Sequence, residues 1–583
     1  GGWKLSRPIQ EADIPTTIQG IITARLDRLD KEAKRILQEA SVIGRAFLYE
    51  ILGKITALKG PIERPLTGLE RHDLIRVRSL QPEMEYIFKH ALTQEVVYGG
   101  ILKKDRKVIH DRIGQVMEKL FHDRLPEFYE TLAFHYRRGE SALKAIDYLM
   151  KAGEKSLNRY TLDEAHRYYK EAFKLLANKP EKSKIEEALL IDLILDWAVV
   201  YHYRGVFTEA EDLLKAYEEL VISLSDKARL GMFYVRLGGA LEYRDKLKEA
   251  YDYSCKALKL GEECGDQKVI GYALAYLTFS CADLGLLDEA VAFGKRLQEM
   301  DLYTADPELF RIANTALGMA YFARGEARKA KDLGKDCLDY GHRSFNLRCI
   351  AYGYLVLLYG HIAAGDYPAA IECAKEAMRE VPLEPLSSLS IKVLLGLSYV
   401  ANDQYQEADD VLQEVMKFNE RYGYEKIGTV AQGFYSVVMI VKGNLRKGIA
   451  LMDDVRKGLL ANDSKYRIIH SYYLLGRVYL KIIQGGGKKN LSFIGKNIGF
   501  LIKNFPFAAL RAEEYFQKAI EVAKEIGAKG MLGQAYLDLG QLYKIKKKTN
   551  QAKKYITDAA QLFEQCEADV FLKQAKDALS LLE

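Results

Sequence analysis

Apolar residues recur along most of this chain with the period of an α-helix. In the first such stretch they fall on one helical face, at spacings of three, four and seven: Ile18, Ile21, Ile22, Leu26 and Leu29. Asp30 is placed to cap a second helix, which Gly44 ends. The same period predicts further helices near Phe47–Ile55, Arg64–His72, Ala91–Leu102 and Lys104–Phe121.

The pattern changes from helical to strand-like in two short segments. Leu74–Arg78 and Met84–Phe88 have the residue types of strands, and Gln81–Glu83 has those of a turn between them. Three helices followed by a hairpin is the order of elements in a winged helix. The sequence therefore predicts a small winged-helix-like α+β domain over residues 30–124.

A ladder of small residues organises the rest of the chain. Its members recur at steps of 40, with one step of 38 and one of 64 that a single insertion of 24 residues explains: Ala210, Ala250, Ala290, Ala330, Ala370, Ala408, Gly448, Ala512 and Ala552. Self-similarity at a fixed period in this range is typical of stacked helix pairs. A small side chain lets the two helices of a pair approach closely.

The residues around each ladder position repeat as well. At five repeats a glycine stands five residues before the ladder residue: Gly205, Gly285, Gly325, Gly365 and Gly443. Glycine ends a helix there, because it adopts the left-handed conformation without a Cβ clash. These units resemble tetratricopeptide repeats, whose period is about 34. The longer period here predicts longer helices in each pair.

Together these patterns predict an all-α chain with one small mixed domain. Its main part is a tetratricopeptide-like α-solenoid, a right-handed superhelix of helix pairs with about 40 residues per unit, over residues 181–583. The winged-helix-like α+β domain precedes it, and helices over residues 125–180 link and cap the two.

The predicted insertion at residues 485–508 is basic and amphipathic. Its apolar residues share a helical face, and Lys489, Lys496 and Lys503 recur every seven residues on another. Such a helix can fold back over the edge of the solenoid and cover exposed core. It can also lie on an anionic membrane surface or dock on a partner, and the sequence leaves these alternatives open.

Composition narrows the class of protein. A hydrophobic content of 49% with 28% charged residues is typical of folded soluble proteins, and a net charge of +6 does not by itself indicate a nucleic-acid partner. Seven cysteines without a C-x-x-C motif indicate thiols in a reducing cytoplasm. The chain has no P-loop, zinc-binding pattern or hydrolase motif, so we predict no catalytic residue and no metal site in it.

Three N-terminal segments resemble a known family. They are IPTTIQGIITARLDRL at residues 14–29, LQEASVIGRAF at 37–47 and YIFKHALTQEVVY at 86–98. They are similar to the region that follows the ATPase core in bacterial adenylate/guanylate cyclases with a STAND-type ATPase and a repeat tail. The resemblance implies that residues 1–29 end the ATPase-associated helical segment. It also implies an ATPase that binds ATP or ADP with Mg, and a class III cyclase, upstream of residue 1; some relatives lack the cyclase.

The resemblance also implies nucleotide contacts. In this family of ATP switches a winged-helix histidine reaches the nucleotide phosphates in the ADP-bound state, and His90 is the matching position. The alternative is a core histidine satisfied by backbone groups. Arg25 and Arg45 are further candidates for phosphate contacts, and the alternative for both is pairing with Asp27, Asp30 or Glu50.

We therefore expect a regulatory, protein-interaction region of an ATP-dependent switch that controls cyclic nucleotide synthesis. A protein or peptide would bind in the solenoid groove, and the upstream ATPase would be a second partner. Two alternatives are a DNA-binding transcription regulator of the same build and a passive scaffold. The helix near Arg64–His72 argues against DNA binding, because acids at Glu70 and Asp73 compensate its arginines.

Overall fold

The computed structural model of the chain describes residues 16–582 except 57, 59, 382–384, 423 and 485–504. The chain divides into two compact units, with the division between Glu186 and Glu187, inside the first turn of the helix Lys184–Arg204. Most of the predicted insertion at 485–508 lies outside the described residues, so its alternatives stay open.

The first unit combines helices with a small antiparallel sheet. Its elements are α1 (Thr16–Leu26), α2 (Lys31–Ile43), β1 (Ala46–Leu48), α3 (Tyr49–Ile55), α4 (Glu63–Arg71), β2 (Ile75–Ser79), β3 (Glu85–Phe88), α5 (Ala91–Gly99), α6 (Lys103–Leu120), α7 (Tyr129–Arg138), α8 (Ala142–Asn158) and α9 (Leu162–Ala177). A 3₁₀ turn covers His122–Glu127. The strand order in the sheet is β1-β3-β2.

Most of these elements lie where the sequence predicts them, with one correction. The Asp30 carboxylate accepts from the backbone nitrogen of Ala33 and caps α2 as expected. The helix predicted near Phe47–Ile55 is wrong at its start, because residues 46–48 form β1 and pair with β3. Phe47 stacks on Tyr86, with ring centroids 5.8 Å apart. The winged-helix assignment and the domain boundaries at 29/30, 124/125 and 180/181 stay predictions.

A buried pair of histidines joins α6 to α7. His110 and His135 are each 1% exposed, and their Nδ1 atoms lie 2.9 Å apart, so one ring donates and the other accepts. The Tyr98 hydroxyl lies 3.0 Å from Nε2 of His110. Burial lowers the pKa of His110 to about 4 and that of His135 to about 3, and the charge of Arg138 acts in the same direction.

Acidification is expected to destabilise the first unit as the pH falls below 6.5. Below pH 6.5 the unfolded chain binds more protons than the folded one, because its histidines have pKa values near 6.5 and the folded ones have much lower values. The free energy of unfolding contributed by these histidines above pH 6.5 is therefore lost as the pH falls. Between pH 6.5 and about pH 5 the loss is about 2 kcal/mol per histidine. In urea unfolding at several pH values, His135→Gln should remove about that much pH dependence. The exposed His122→Gln should leave it unchanged, and an unaltered slope in His135→Gln would contradict the interpretation.

The second unit is helical throughout its described residues. Its helices are α10 (Lys184–Arg204), α11 (Phe207–Ala216), α12 (Glu218–Ser223), α13 (Lys227–Tyr243), α14 (Leu247–Cys264), α15 (Gln267–Leu284), α16 (Leu287–Gln298), α17 (Leu302–Ala305), α18 (Pro307–Arg324), α19 (Ala327–Ser344), α20 (Leu347–Ala364), α21 (Tyr367–Glu380), α22 (Pro385–Ala401), α23 (Tyr405–Tyr422), α24 (Glu425–Val441), α25 (Leu445–Ala461), α26 (Lys465–Ile483), α27 (Ala508–Ile526), α28 (Lys529–Ile545), α29 (Thr549–Gln565) and α30 (Asp569–Ser580). A 3₁₀ turn covers Phe505–Phe507.

The ladder of small residues is confirmed as the packing seam of these helix pairs. Each ladder residue lies on the second helix of its pair, and no ladder alanine is more than 3% exposed. Gly448 shows why the position is small: a Cβ there would lie 2.6 Å from the backbone oxygen of Ser436 on α24. The chain is therefore a tetratricopeptide-like α-solenoid with about 40 residues per unit.

The position five residues before the ladder is left-handed at eight of the nine repeats, in three of which it is not glycine, and the exception is Phe507 with φ of −101°. The five predicted glycines have φ between 69° and 91°, and Asp245, Asp403 and Lys547 at the equivalent positions have φ of 60°, 57° and 57°. The sharp bend between paired helices is therefore a property of the repeat. Glycine is the residue type that adopts it without strain.

Successive turns of the superhelix contact each other. The hydroxyl of Tyr424, the residue before α24, donates to the backbone oxygen of Arg204 on α10, at 2.8 Å and 220 positions away in sequence. Farther along, α18 meets α28 so closely that a Cβ added at Gly325 would lie 2.7 Å from the backbone nitrogen of Gly530. The concave side of the solenoid is therefore closed over this stretch by the next turn.

One described helix, α20, is long and apolar enough to cross a membrane by length and composition, with mean hydropathy 1.3. It is 78% buried inside the protein. This burial is what the core helix of a solenoid shows.

Candidate functional site

The superhelix of the second unit encloses an apolar cavity of about 200 Å³. Its wall is rich in aromatic side chains, which come from the first helices of successive pairs: Tyr243, Phe279, Phe322, Tyr352, Tyr359, Phe434 and Tyr466. All the first helices from α13 to α26 line it, including α22, and α25 adds to the wall. Where the superhelix completes a turn, α24 contacts α13 and α26 contacts α15. The cavity thus lies in the interior of the superhelix, where the next turn meets the first.

Gly433 on α24 helps to keep this space open. It lines the cavity, and a Cβ added there would meet only Val455 Cγ1, at 3.8 Å. Packing the neighbouring helix therefore does not require glycine at this position, in contrast to Gly448. A larger side chain at residue 433 would occupy the cavity.

A buried ion cluster forms part of the cavity wall and ties the two turns together. Lys426 Nζ on α24 donates to Glu242 Oε1 on α13 at 2.5 Å and also pairs with Asp283 on α15. Arg467 on α26 pairs with Asp245, and its Nε lies 3.3 Å from Asp283 Oδ1. Glu242 is 2% exposed and Asp283 is fully buried. The bonded residues are 184 and 222 positions apart in sequence.

Burial and charge act in opposite directions on the acids of this cluster. Burial raises the pKa of Glu242, and the nearby Asp283 adds to the effect against the attraction of Lys426. Burial also acts to raise the pKa of Asp283, but the charges of Lys426 and Arg467 outweigh it, so that pKa lies below its ordinary value. The two basic side chains therefore hold Asp283 ionised inside the protein.

A second ion cluster adjoins the cavity at Tyr352. Arg311 donates to both carboxylate oxygens of Glu308, from Nε at 3.0 Å and from Nη2 at 2.6 Å. Arg348 Nη1 donates to Glu308 Oε2 at 2.9 Å. The guanidinium carbon of Arg311 lies 4.2 Å from the ring centroid of Tyr352. Bidentate pairing and cation–π contact fix these arginines rigidly.

His470 on α26 is a polar side chain in the aromatic wall. Its ring stacks near Phe322 at 6.5 Å and meets Tyr466 edge-on at 5.1 Å. Burial lowers its pKa to about 4, so the imidazole is neutral at neutral pH. A neutral imidazole has one donor and one acceptor nitrogen. Among the described residues none makes a hydrogen bond to this half-buried ring, and the ring lines the cavity.

The sequence-predicted residues lie in the first unit, and the structure brings two of them together. Arg25 Nη2 donates to the backbone oxygen of His72 at 2.9 Å, and Lys89 donates to the carboxylate of Asp73. The hydrogen bond from Lys89 lowers the pKa of Asp73, and the charges of His90 and Arg25 act in the same direction. The two hydrogen bonds, to the adjacent residues His72 and Asp73, bring the segments that carry Arg25 and His90 close together. His90 is exposed, so it is not a core histidine.

Arg45 contributes to the same region through its backbone. Its carbonyl accepts from the backbone nitrogen of Phe88 at the end of β3, and its side chain is exposed. Two of the acids proposed as alternative partners are engaged elsewhere: Asp27 pairs with Lys34 at 2.8 Å, and Asp30 caps α2. The role of Arg25, Arg45 and His90 as nucleotide contacts stays a prediction.

Sequence reasoning did not identify the cavity residues. Glu242 and Asp283 stand out only as acids near the ends of otherwise apolar helices, which is a weak sign of a buried partner. Their partners lie on helices of the next superhelical turn. No local spacing rule relates the two sets of residues.

Comparisons with known proteins give limited further information. No protein-family model matches the chain. An uncharacterized protein of Rhizobium meliloti (strain 1021) is 24% identical over 214 residues, which are 35% of this chain and 20% of that protein. The chain thus matches about one fifth of the length of that relative.

Several solved structures are similar to the chain. A Signal Transduction ATPase with Numerous Domains (STAND) that has a tetratricopeptide repeat sensor, from Pyrococcus horikoshii, has a TM-score of 0.45 and 17% identity over 76% of this chain and 65% of that one. The Cut9–Hcn1 hetero-tetramer of APC/C has a TM-score of 0.46 and 13% identity, and the match covers 83% of this chain and 86% of that one. The Rap conjugation gene regulator of plasmid pLS20, solved with the Phr* peptide, has a TM-score of 0.40 and 12% identity. That match covers 55% of this chain and 92% of that one. All three TM-scores are below 0.5, and the solenoid fold follows from the helix pairs of this chain itself.

Proposed function

We propose that the second unit is a sensor, which admits part of a peptide or protein partner to the cavity inside its superhelix. The observation that carries this proposal is the position of the cavity inside the superhelix, where α24 and α26 of the next turn meet α13 and α15. A group bound there contacts both turns at once. Its affinity therefore depends on the distance between the turns. A ligand with different affinities for two conformations shifts the equilibrium between them.

The chemistry of the wall supports binding of this kind. Aromatic and aliphatic side chains dominate it, and polar groups are few, as in most ligand sites. Aromatic anchors in desolvated pockets supply most of the binding energy at protein interfaces. A difference of about 1–3 kcal/mol between two states of the superhelix gives useful coupling to a distant site.

Selection of peptides from a random displayed library tests the proposal. The bait is the full chain in three forms: wild type, Gly433→Ala and Gly433→Leu. Alanine adds only a methyl group, so we expect it to recover the wild-type peptides, whereas leucine fills the cavity and should reduce their binding at least tenfold. Equal binding by all three forms, or no selected sequence with the wild type, would refute the cavity as the binding site.

We also propose that the chain belongs to an ATP-dependent signalling switch of the cytoplasm and controls an upstream cyclase. Support comes from the resemblance of the three N-terminal segments and from the exposed side chains of Arg25, Lys89 and His90. These groups are exposed and suited to meet phosphate oxygens. On this proposal the peptide signal acts on the winged-helix-like region and so on the ATPase.

The proposed switch predicts that His90→Ala weakens ADP retention. In the full-length protein the variant should release bound ADP about tenfold faster than wild type, because one hydrogen bond to the nucleotide phosphates is lost. The exposed His122→Ala is the matched control. Identical ADP release from all three proteins would remove the role assigned to His90.

A further inference from the structure

The cavity is suited to one side chain of a partner and not to a whole cofactor. Its volume of about 200 Å³ exceeds the ~150 Å³ of an engineered apolar cavity that binds benzene. It is smaller than the ~300–1,000 Å³ of drug-sized ligand sites. A single aromatic ring is therefore the largest rigid group that fits well.

The charged residues of the wall leave little for a charged ligand group to bind. Lys426 and Arg467 already neutralise Asp283, and Lys426 also bonds Glu242. Ser280 Oγ donates to the second Glu242 oxygen at 2.6 Å. A further charge would be desolvated without a dedicated partner, which is costly. The occupant is therefore uncharged.

His470 is the polar group that such an occupant meets. Its ring lies among Phe322 and Tyr466 on the cavity wall, and no described residue occupies its nitrogens. The half-buried ring therefore offers the cavity one donor and one acceptor nitrogen that no described side chain uses. Tyrosine and tryptophan combine an apolar ring with one hydrogen-bonding tip, and the tip usually finds a partner when it is buried.

We propose that the cavity binds an aromatic side chain with a hydrogen-bond donor, the phenol of tyrosine or the indole of tryptophan, and that His470 recognises the polar tip. This inference rests on the proposed sensor function and specifies the ligand group. The ring fills the space that Gly433 leaves open, and the donor bonds the acceptor nitrogen of His470. Phenylalanine and leucine fit by shape but leave the imidazole unpaired.

Small probes of matched shape test the inference on the full chain. The probes are p-cresol, indole and toluene, and their dissociation constants are measured by titration at neutral pH for wild type, His470→Phe and His470→Gln. In His470→Phe the phenol tip loses its partner. The preference for p-cresol over toluene should fall by about tenfold relative to wild type. In His470→Gln, which retains donor and acceptor atoms, most of the preference should remain.

The outcomes separate this inference from the sensor proposal. If toluene binds the wild type but the p-cresol/toluene ratio is the same in His470→Phe, the role of His470 is refuted and the cavity remains a binding site. If no probe binds the wild type, both fail. If the preference for indole over toluene also falls in His470→Phe, tryptophan is supported as the occupant. If only the preference for p-cresol falls, tyrosine is supported. Thermal unfolding of each variant shows that any loss of binding is not loss of fold.

Discussion

Lys426→Met is expected to destabilise the second unit by about 3–5 kcal/mol in urea unfolding. The side chain bonds Glu242 and Asp283, which are 2% and 0% exposed, and its removal leaves their charge without its main partner. Removing one member of a buried ion cluster costs this much because the remaining charge is desolvated and uncompensated. The two superhelical turns should also separate more readily, since Lys426 joins α24 to α13 and α15.

A matched surface variant and a rescue variant make this test specific. Lys518→Met breaks an exposed pair with Glu514 and should change stability by about 0.5 kcal/mol or less. Adding Glu242→Gln and Asp283→Asn to Lys426→Met removes the uncompensated charge and should restore most of the loss. A wild-type unfolding curve for Lys426→Met alone would show that the cluster does not hold the turns together.

Gly448→Leu is expected to destabilise the same unit by about 3 kcal/mol. The ladder position packs α25 on α24, and even a Cβ at residue 448 would lie 2.6 Å from both the Ser436 backbone oxygen and Ile440 Cγ1. A backbone oxygen cannot move as a flexible side chain can, so the helices must separate, and overpacking of this kind costs about 1–3 kcal/mol or more.

Gly458 on the same helix is the control for this change. It is exposed, and nothing lies within 4 Å of an added Cβ. Gly458→Leu should therefore stabilise the helix by about 0.5–1 kcal/mol through helix propensity alone. If the two leucine variants change the unfolding midpoint in the same direction and by similar amounts, close approach of α24 and α25 does not explain the ladder.

The repeat architecture was predictable because its causes are local. A small residue every 40 positions and a glycine five residues earlier are properties of one helix pair, and each pair packs chiefly on its neighbours. Helix caps are also local, and Asp30 caps α2 as its position in the sequence predicts. The missed strand at Phe47 had no such signal, since three residues are too few to show a period of two and its partner is β3.

The candidate site was not predictable, because it depends on the return of the chain after a full superhelical turn. Lys426 and Glu242 are 184 residues apart, and Arg467 and Asp245 are 222. The number of repeats per turn depends on small rotations between many helices, which the residue pattern does not specify. His470 was one of ten histidines in the sequence, and only its place in the aromatic wall distinguishes it.

Xenon binding to crystals of the full chain tests most directly whether the superhelix holds an accessible apolar cavity. Apolar cavities of this size bind xenon. We expect a xenon site between Phe434 on α24 and Tyr359 on α20 in the wild type and in Gly433→Ala, and its loss in Gly433→Leu. A wild-type crystal with no xenon there, or with xenon unaffected by leucine at residue 433, would contradict it.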